Sequence, residues 1–200
     1  MMRKILVVGA GGIGSWLAST LYHLKQHKQL PDTHFTFADD DTVDTPNLSY
    51  QNFDEDDFME YKVNSVSANY GFDSIIERIT SPSELNAYTC VISCVDNAKF
   101  RKMLFTWGCN DNPDQYWIDL RSEGSSIAAF TKHPKNTLSN MIATLGTDAD
   151  NGEGGSCQRA HELNAGIVQV GNRIIAQVGA QLVLNYIRKQ HNPPQFIQTF

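Results

Sequence analysis

The segment Lys4–Ser15, KILVVGAGGIGS, leaves a chain few choices. Ile5, Leu6, Val7 and Val8 form a short apolar run, the pattern of a strand buried on both faces. Gly9, Gly11 and Gly14 follow in G-x-G-x-x-G spacing, with Gly12 between them. Ile13, Trp16, Leu17, Leu21 and Leu24 then recur at helical spacing. Strand, glycine turn and helix together make the phosphate-cradling unit of a nucleotide-binding fold. The glycines let the backbone come close to a phosphate, and the helix N-terminus offers unpaired N–H groups. A tight structural turn is the alternative, and the placement between strand and helix favours the nucleotide.

The rest of the chain reads as an alternation of strands and helices. The first helix should run from Gly12 to about Lys25 and turn at Leu30-Pro31-Asp32. A second strand over 34–38 ends in Asp39, Asp40 and Asp41. Asp39 lies 25 residues after Gly14, near the acidic position that holds a ribose hydroxyl in dinucleotide folds. Residues 47–57 read as a polar loop, and 58–70 as a helix carrying Lys62 and stopped by Gly71. Strands are expected over 74–79, 88–95 and 116–120, with a helix from Asp96-Asn97 to about Cys109. Residues 126–131 suggest an antiparallel strand. Residues 132–159 give little pattern, and their glycine- and aspartate-rich tail, 146–155, reads as a crossover loop. A long apolar helix over 162–189 ends at Pro193-Pro194. The expected fold is α/β: a Rossmann-like sheet, mainly parallel, with helices on both faces and an antiparallel extension, in a single domain over 1–200.

Composition narrows the partners. A net charge of −6 and a pI near 5.4 argue against DNA and against an anionic membrane surface. No apolar stretch is long enough to span a bilayer, and the N-terminus lacks a secretory signal. Cys90, Cys94, Cys109 and Cys157 show no C-x-x-C spacing, so neither a disulfide framework nor a cysteine-built zinc site is expected. The expected compartment is a reducing cytoplasm.

Four segments in order resemble the ThiF/MoeB/ubiquitin-activating-enzyme superfamily. They are the glycine loop Val8–Ser15, the run Asp39–Gln51 (DDDTVDTPNLSYQ) set against D-x-D-x-V-x-x-x-N-L-x-R-Q, Lys62-Val63, and Cys94-Val95-Asp96-Asn97 followed by Arg101. The resemblance implies an adenylyltransferase. The C-terminal carboxylate of a ubiquitin-like or sulfur-carrier protein, or of a short peptide, would attack the α-phosphate of ATP, and pyrophosphate would leave. By the same resemblance Gly9, Gly11, Gly12 and Gly14 would cradle the nucleotide, Asp39 would hold the ribose, and Asp41 would also be a nucleotide-binding residue. Asn47, Gln51 and Lys62 would line the phosphates and Asp96 would hold Mg²⁺. Relatives commonly pair, which implies a homodimer. Each residue also has a plainer use: Lys62 as a surface lysine, Asn47 and Gln51 as loop ties, Asp96 as a helix cap.

The match departs from the pattern in three places. Tyr50 stands where the family carries an arginine. The first strand begins at once, without the helical extension that in several relatives sends an arginine into the partner subunit's site. Paired C-x-x-C zinc ligands are absent. Arg3, Arg121 or Arg159 could replace the missing positive charge. Cys157, near Arg159 and His161, lies where relatives carry a cysteine for thioester formation or sulfur transfer, and it is equally readable as an inert helix-start residue. Cys90 and Cys94 read as core residues and Cys109 as a helix-end residue. Two other functions stay open: an NAD-dependent oxidoreductase, and a non-catalytic nucleotide-binding relative.

Overall fold

A computed structural model describes residues 2–145 and 170–200. The alternation seen in the sequence becomes one seven-stranded sheet. Its strands are β1 (Arg3–Val8), β2 (Thr33–Ala38), β3 (Asp73–Ile75), β4 (Cys90–Ser93), β5 (Tyr116–Glu123), β6 (Ser126–Thr131) and β7 (Gln195–Thr199). They lie in the order β3-β2-β1-β4-β5-β6-β7. The first five are parallel, with Ile5 beside Phe35 and Cys90, and β6 and β7 are antiparallel. The sheet is therefore Rossmann-like with an antiparallel extension.

Strand pleating sends alternate residues to opposite faces. Ile5 and Val7 of β1, Phe35 and Phe37 of β2, and Ile118 and Leu120 of β5 pack under one set of helices. These are α1 (Gly12–Gln26), α2 (Lys62–Tyr70) and α6 (Gly171–Ile187). Leu6, Val8, Val91 and Trp117 face the other way, toward α3 (Pro82–Leu85), α4 (Ala98–Gly108) and α5 (Leu138–Ala143). Both faces of β1 and β4 are covered, so Ile5–Val8 and Cys90–Ile92 are continuously apolar. No described helix is long and apolar enough to cross a membrane.

Several elements differ from the sequence expectation. Two short 3₁₀ turns, Thr45–Ser49 and Glu55–Asp57, occupy the polar loop. The second helix begins at Lys62, not at residue 58, because Met59 sits at φ +69° and Tyr61 bridges to Thr42. Lys62 thereby becomes a first-turn residue. Gly71 ends that helix in the left-handed conformation at φ +67°. β3 stops at Ile75, after which Glu77–Thr80 bend along the sheet edge and Ser81 caps α3. β4 is shorter than 88–95, which frees Cys94–Asp96 to form a turn. Asn97 alone caps α4, its Oδ1 accepting from the Phe100 N–H at 3.1 Å. β5 runs on to Glu123, and α5 and β7 carried no readable sequence signal. The expected loop over 146–155 and the start of the long helix, 162–169, lie outside the described residues.

Candidate functional site

β1 is flanked by β2 on one side and β4 on the other, so the chain reverses its winding direction at its C-terminal end. A crevice forms at such a point. Here it is a cleft of about 750 Å³. Its floor is the glycine loop, one wall is the Asp39–Lys62 region, and the other is the Val95–Met103 turn and helix, with Glu77–Thr80 closing the edge.

The glycine loop is shaped by contacts a side chain would prevent. Gly9 takes φ +94°, and a Cβ there would lie 3.0 Å from the Cys94 carbonyl carbon and oxygen. A Cβ on Gly14 would overlap the Gly9 carbonyl oxygen at 1.9 Å, so α1 starts almost on top of the strand end. A Cβ on Gly12 would meet Asn172 Nδ2 of α6 at 2.5 Å. Gly11 is different: its Cβ position has only ordinary contacts, the nearest being Gln51 at 3.7 Å. Gly11 caps α1 without any side-chain hydrogen bond, so the first N–H groups of the helix are free to meet an anion.

The aspartates that follow β2 each hold a different segment. Asp39 Oδ2 accepts from the Ala10 N–H at 2.6 Å and Oδ1 from the Asp41 N–H at 2.9 Å. Asp40 pairs with Arg78 at 3.3 Å. Asp41 pairs with Lys62 Nζ at 2.9 Å. Burial pushes the Asp39 carboxyl above its ordinary value of 3.8, against the Ala10 N–H, the Lys62 charge and the Asp41 N–H, which pull it down. Lys62 is no surface residue: its side chain is only 9% exposed, while its partner Asp41 is 59% exposed. A buried ammonium lines the cleft, neutralised by one carboxylate that opens to water.

Asn47 and Gln51 reach the cleft by different routes. Asn47 Oδ1 accepts from the Asp44 N–H and its Nδ2 donates to the Tyr50 hydroxyl at 3.3 Å, so it is also a loop tie. Gln51 is buried, and its Oε1 has no hydrogen-bond partner. Asp96 is exposed on the opposite wall, and no described residue donates to its carboxylate. The three aspartates 39–41 place carboxylate oxygens within 4.8 Å of one another, but protein donors engage each of them. Asp96, with no such donor, is open to a cation, and Mg²⁺, a hard cation that takes one or two carboxylates and fills its shell with phosphate oxygens and water, would suit it.

Sequence reasoning did not assign the edge Glu77–Thr80 or Phe100 and Met103, which supply apolar lining together with Ile79 and Val95. The signal available was position: they follow β3 and β4 at the C-terminal edge of a parallel sheet. Arg101 also gains a role. Its Nη2 donates to the Val95 carbonyl at 2.5 Å and its Nε to Asp119 at 3.2 Å, which holds the turn bearing Asp96. Asp119 is fully buried and also accepts from Arg121 at 2.7 Å. Arg121 further donates to Thr144, so its charge is spent away from the cleft. Arg3 begins β1, at the opposite end of the sheet from the cleft. Cys157, Arg159 and His161 lie outside the described residues.

Known structures share this architecture. E. coli MccB with ATP aligns at TM-score 0.67 and 16% identity, over 99% of this chain and 60% of that one. E. coli MccB with MccA-N7isoASN aligns at 0.67 and 15%, over 99% and 62%. E. coli tRNA N6-threonylcarbamoyladenosine dehydratase, TcdA, in complex with AMP aligns at 0.65 and 16%, over 94% and 86%. The chain thus spans about 60% of the length of the MccB chains. A sequence search of curated proteins returned no match. The ThiF family model matches residues 2–200, and the chain belongs to the ThiF family.

Proposed function

We propose that the cleft binds ATP with Mg²⁺ and that the protein adenylates a carboxylate. The observation that carries this reading is Lys62, a buried ammonium brought beside a glycine loop whose helix N-terminus has no side-chain cap. A carboxylate attacking a triphosphate sets anion against anion, and fixed positive groups in a desolvated site lower that barrier most. Lys62 would meet the phosphates and Asp41 would hold it in place. Gly11 and Gly12 would let the phosphates reach the α1 N–H groups, and Gln51 Oε1 would find a partner in the bound state. Asp39, already fixed by two backbone N–H groups, would face the ribose. Mg²⁺ held by Asp96 would supply further neutralisation of the phosphate charge. MccB solved with ATP and TcdA solved with AMP support a nucleotide here.

The second substrate would be the C-terminal carboxylate of a small partner: a ubiquitin-like protein, a sulfur carrier or a short peptide. MccB solved with MccA-N7isoASN supports the peptide class most directly. Cys157 would take the activated acyl group where transfer follows adenylation, and the working unit would be a homodimer in the cytoplasm. Calorimetry with ATP·Mg²⁺ and with NAD tests the nucleotide. ATP should bind the more tightly, and tight NAD binding without ATP binding would replace adenylation with redox chemistry. Carrier-dependent ATP–pyrophosphate exchange tests the reaction. Asp96→Asn should fold normally, because Asn97 carries the α4 cap, and should lose most of that exchange.

A further inference from the structure

The cleft holds more acid than base. Asp39, Asp40, Asp41, Glu77 and Asp96 line it against Lys62, Arg78 and Lys99. Lys62 and Arg78 are already paired with Asp41 and Asp40. A triphosphate needs further positive charge at the glycine loop, and Tyr50 contributes none.

The contacts between α1 and α6 locate a source. Asn172 lies against Gly12, Arg173 over Trp16, and Gln177 Nε2 donates to Thr20 Oγ1 at 2.8 Å. The two helices run side by side in the same direction, and the first turn of α6 sits behind Gly12, which lines the cleft. Arg173 is exposed, with its guanidinium carbon 3.7 Å from the Trp16 ring centroid. No carboxylate among the described residues pairs with it. The Trp16 indole N–H donates to the Tyr50 carbonyl at 3.2 Å, which ties the platform under Arg173 to the cleft wall. Beside it, Asn172 is 1% exposed and neither atom of its carboxamide has a partner. In the first turn of α6, a desolvated amide without a partner thus lies against Gly12 of the glycine loop, and next to it a guanidinium with no carboxylate partner among the described residues lies over Trp16, one turn further along α1. Stacking on an indole fixes a guanidinium by its face and leaves its N–H edge free for oxygen anions.

We infer that Arg173, steadied on Trp16, is a ligand of the β- and γ-phosphates of the bound nucleotide and supplies the charge that Tyr50 does not. The inference rests on the nucleotide reading of the cleft. It separates two ligands: ATP carries the phosphates in question and AMP does not.

The test is calorimetry on the full chain with ATP·Mg²⁺ and with AMP, using wild type, Arg173→Gln and Arg173→Gln combined with Tyr50→Arg. A lost charge-assisted phosphate contact should weaken ATP by roughly ten- to a hundredfold. AMP should change by less than about twofold, as for an uninvolved surface position. The added arginine in the double variant should restore much of the ATP affinity. Arg173→Gln weakening ATP and AMP equally, or leaving both unchanged, overturns the assignment. Wild type binding neither nucleotide overturns the nucleotide reading itself, and Arg173 with it.

Discussion

Lys62 illustrates how one residue changes meaning between sequence and structure. As a letter in a predicted helix it is an ordinary surface lysine. In the fold it opens the helix instead, is buried, and leans on Asp41. Lys62→Met keeps the length and apolar stem and removes the charge. Carrier-dependent pyrophosphate exchange should fall by roughly 10²- to 10³-fold, the scale for a preorganised charge at a developing anion. Unchanged exchange would return Lys62 to a structural role. Asp39 makes a different prediction. Burial raises its carboxyl above 3.8, so folding takes up a proton in the range above that value. The native state then binds more protons than the unfolded one, and stability falls as pH rises through the window. Urea unfolding of wild type and Asp39→Asn across that range should show this slope only in wild type. A flat or rising difference would mean that the Ala10 and Asp41 N–H groups outweigh burial.

At the scale of elements, legibility follows locality. β1 and α1 could be read because their glycines, apolar run and helical spacing are adjacent in sequence. The stop at Gly71 was readable for the same reason. A Cβ on Gly71 would meet nothing within 4 Å, so only its φ of +67° resists substitution. Gly71→Ala should therefore cost about 1 kcal/mol, the scale for an L-residue in the left-handed region, lowering the melting temperature by roughly 2–4 °C. Nucleotide affinity should not move, and an unchanged melting curve would show that the C-terminus of α2 relaxes freely. What could not be read depends on distant partners. The early end of β3 reflects an edge strand of three residues whose continuation turns to pair Arg78 with Asp40. β7 is built of QFIQT, exposed along its whole length, and is a strand only because β6 lies beside it. Asp119 between two arginines, and Asn172 against Gly12, join elements that no local pattern connects.

The whole molecule sets limits on its thiol chemistry. Cys90 and Cys94 are both buried, as expected of core residues, but Cys94 lies just past the end of β4 rather than within it, and burial pushes the Cys90 thiol upward. Cys109 follows α4, half-buried, with its thiol raised to about 11. Cys90 and Cys109 should therefore not ionise readily near neutrality. Thiol labelling of the native protein at neutral pH should show slow phases for these three, and any fast phase should vanish in Cys157→Ala. A fast phase that survives would place a reactive thiol at Cys90, Cys94 or Cys109. Variants of the glycine loop also need the whole structure to be read correctly. Gly12→Val would strike Asn172 before it met a nucleotide, whereas Gly11→Val adds its bulk where the cleft is open. The Asp39–Asp41 turn has one more consequence. Its three carboxylates, one residue apart, grip the glycine loop, the chain after β3 and the start of α2. Exchanging one of them releases one segment. Deleting or inserting a single residue reassigns all three grips together, so this turn should tolerate changes of letter far better than changes of length.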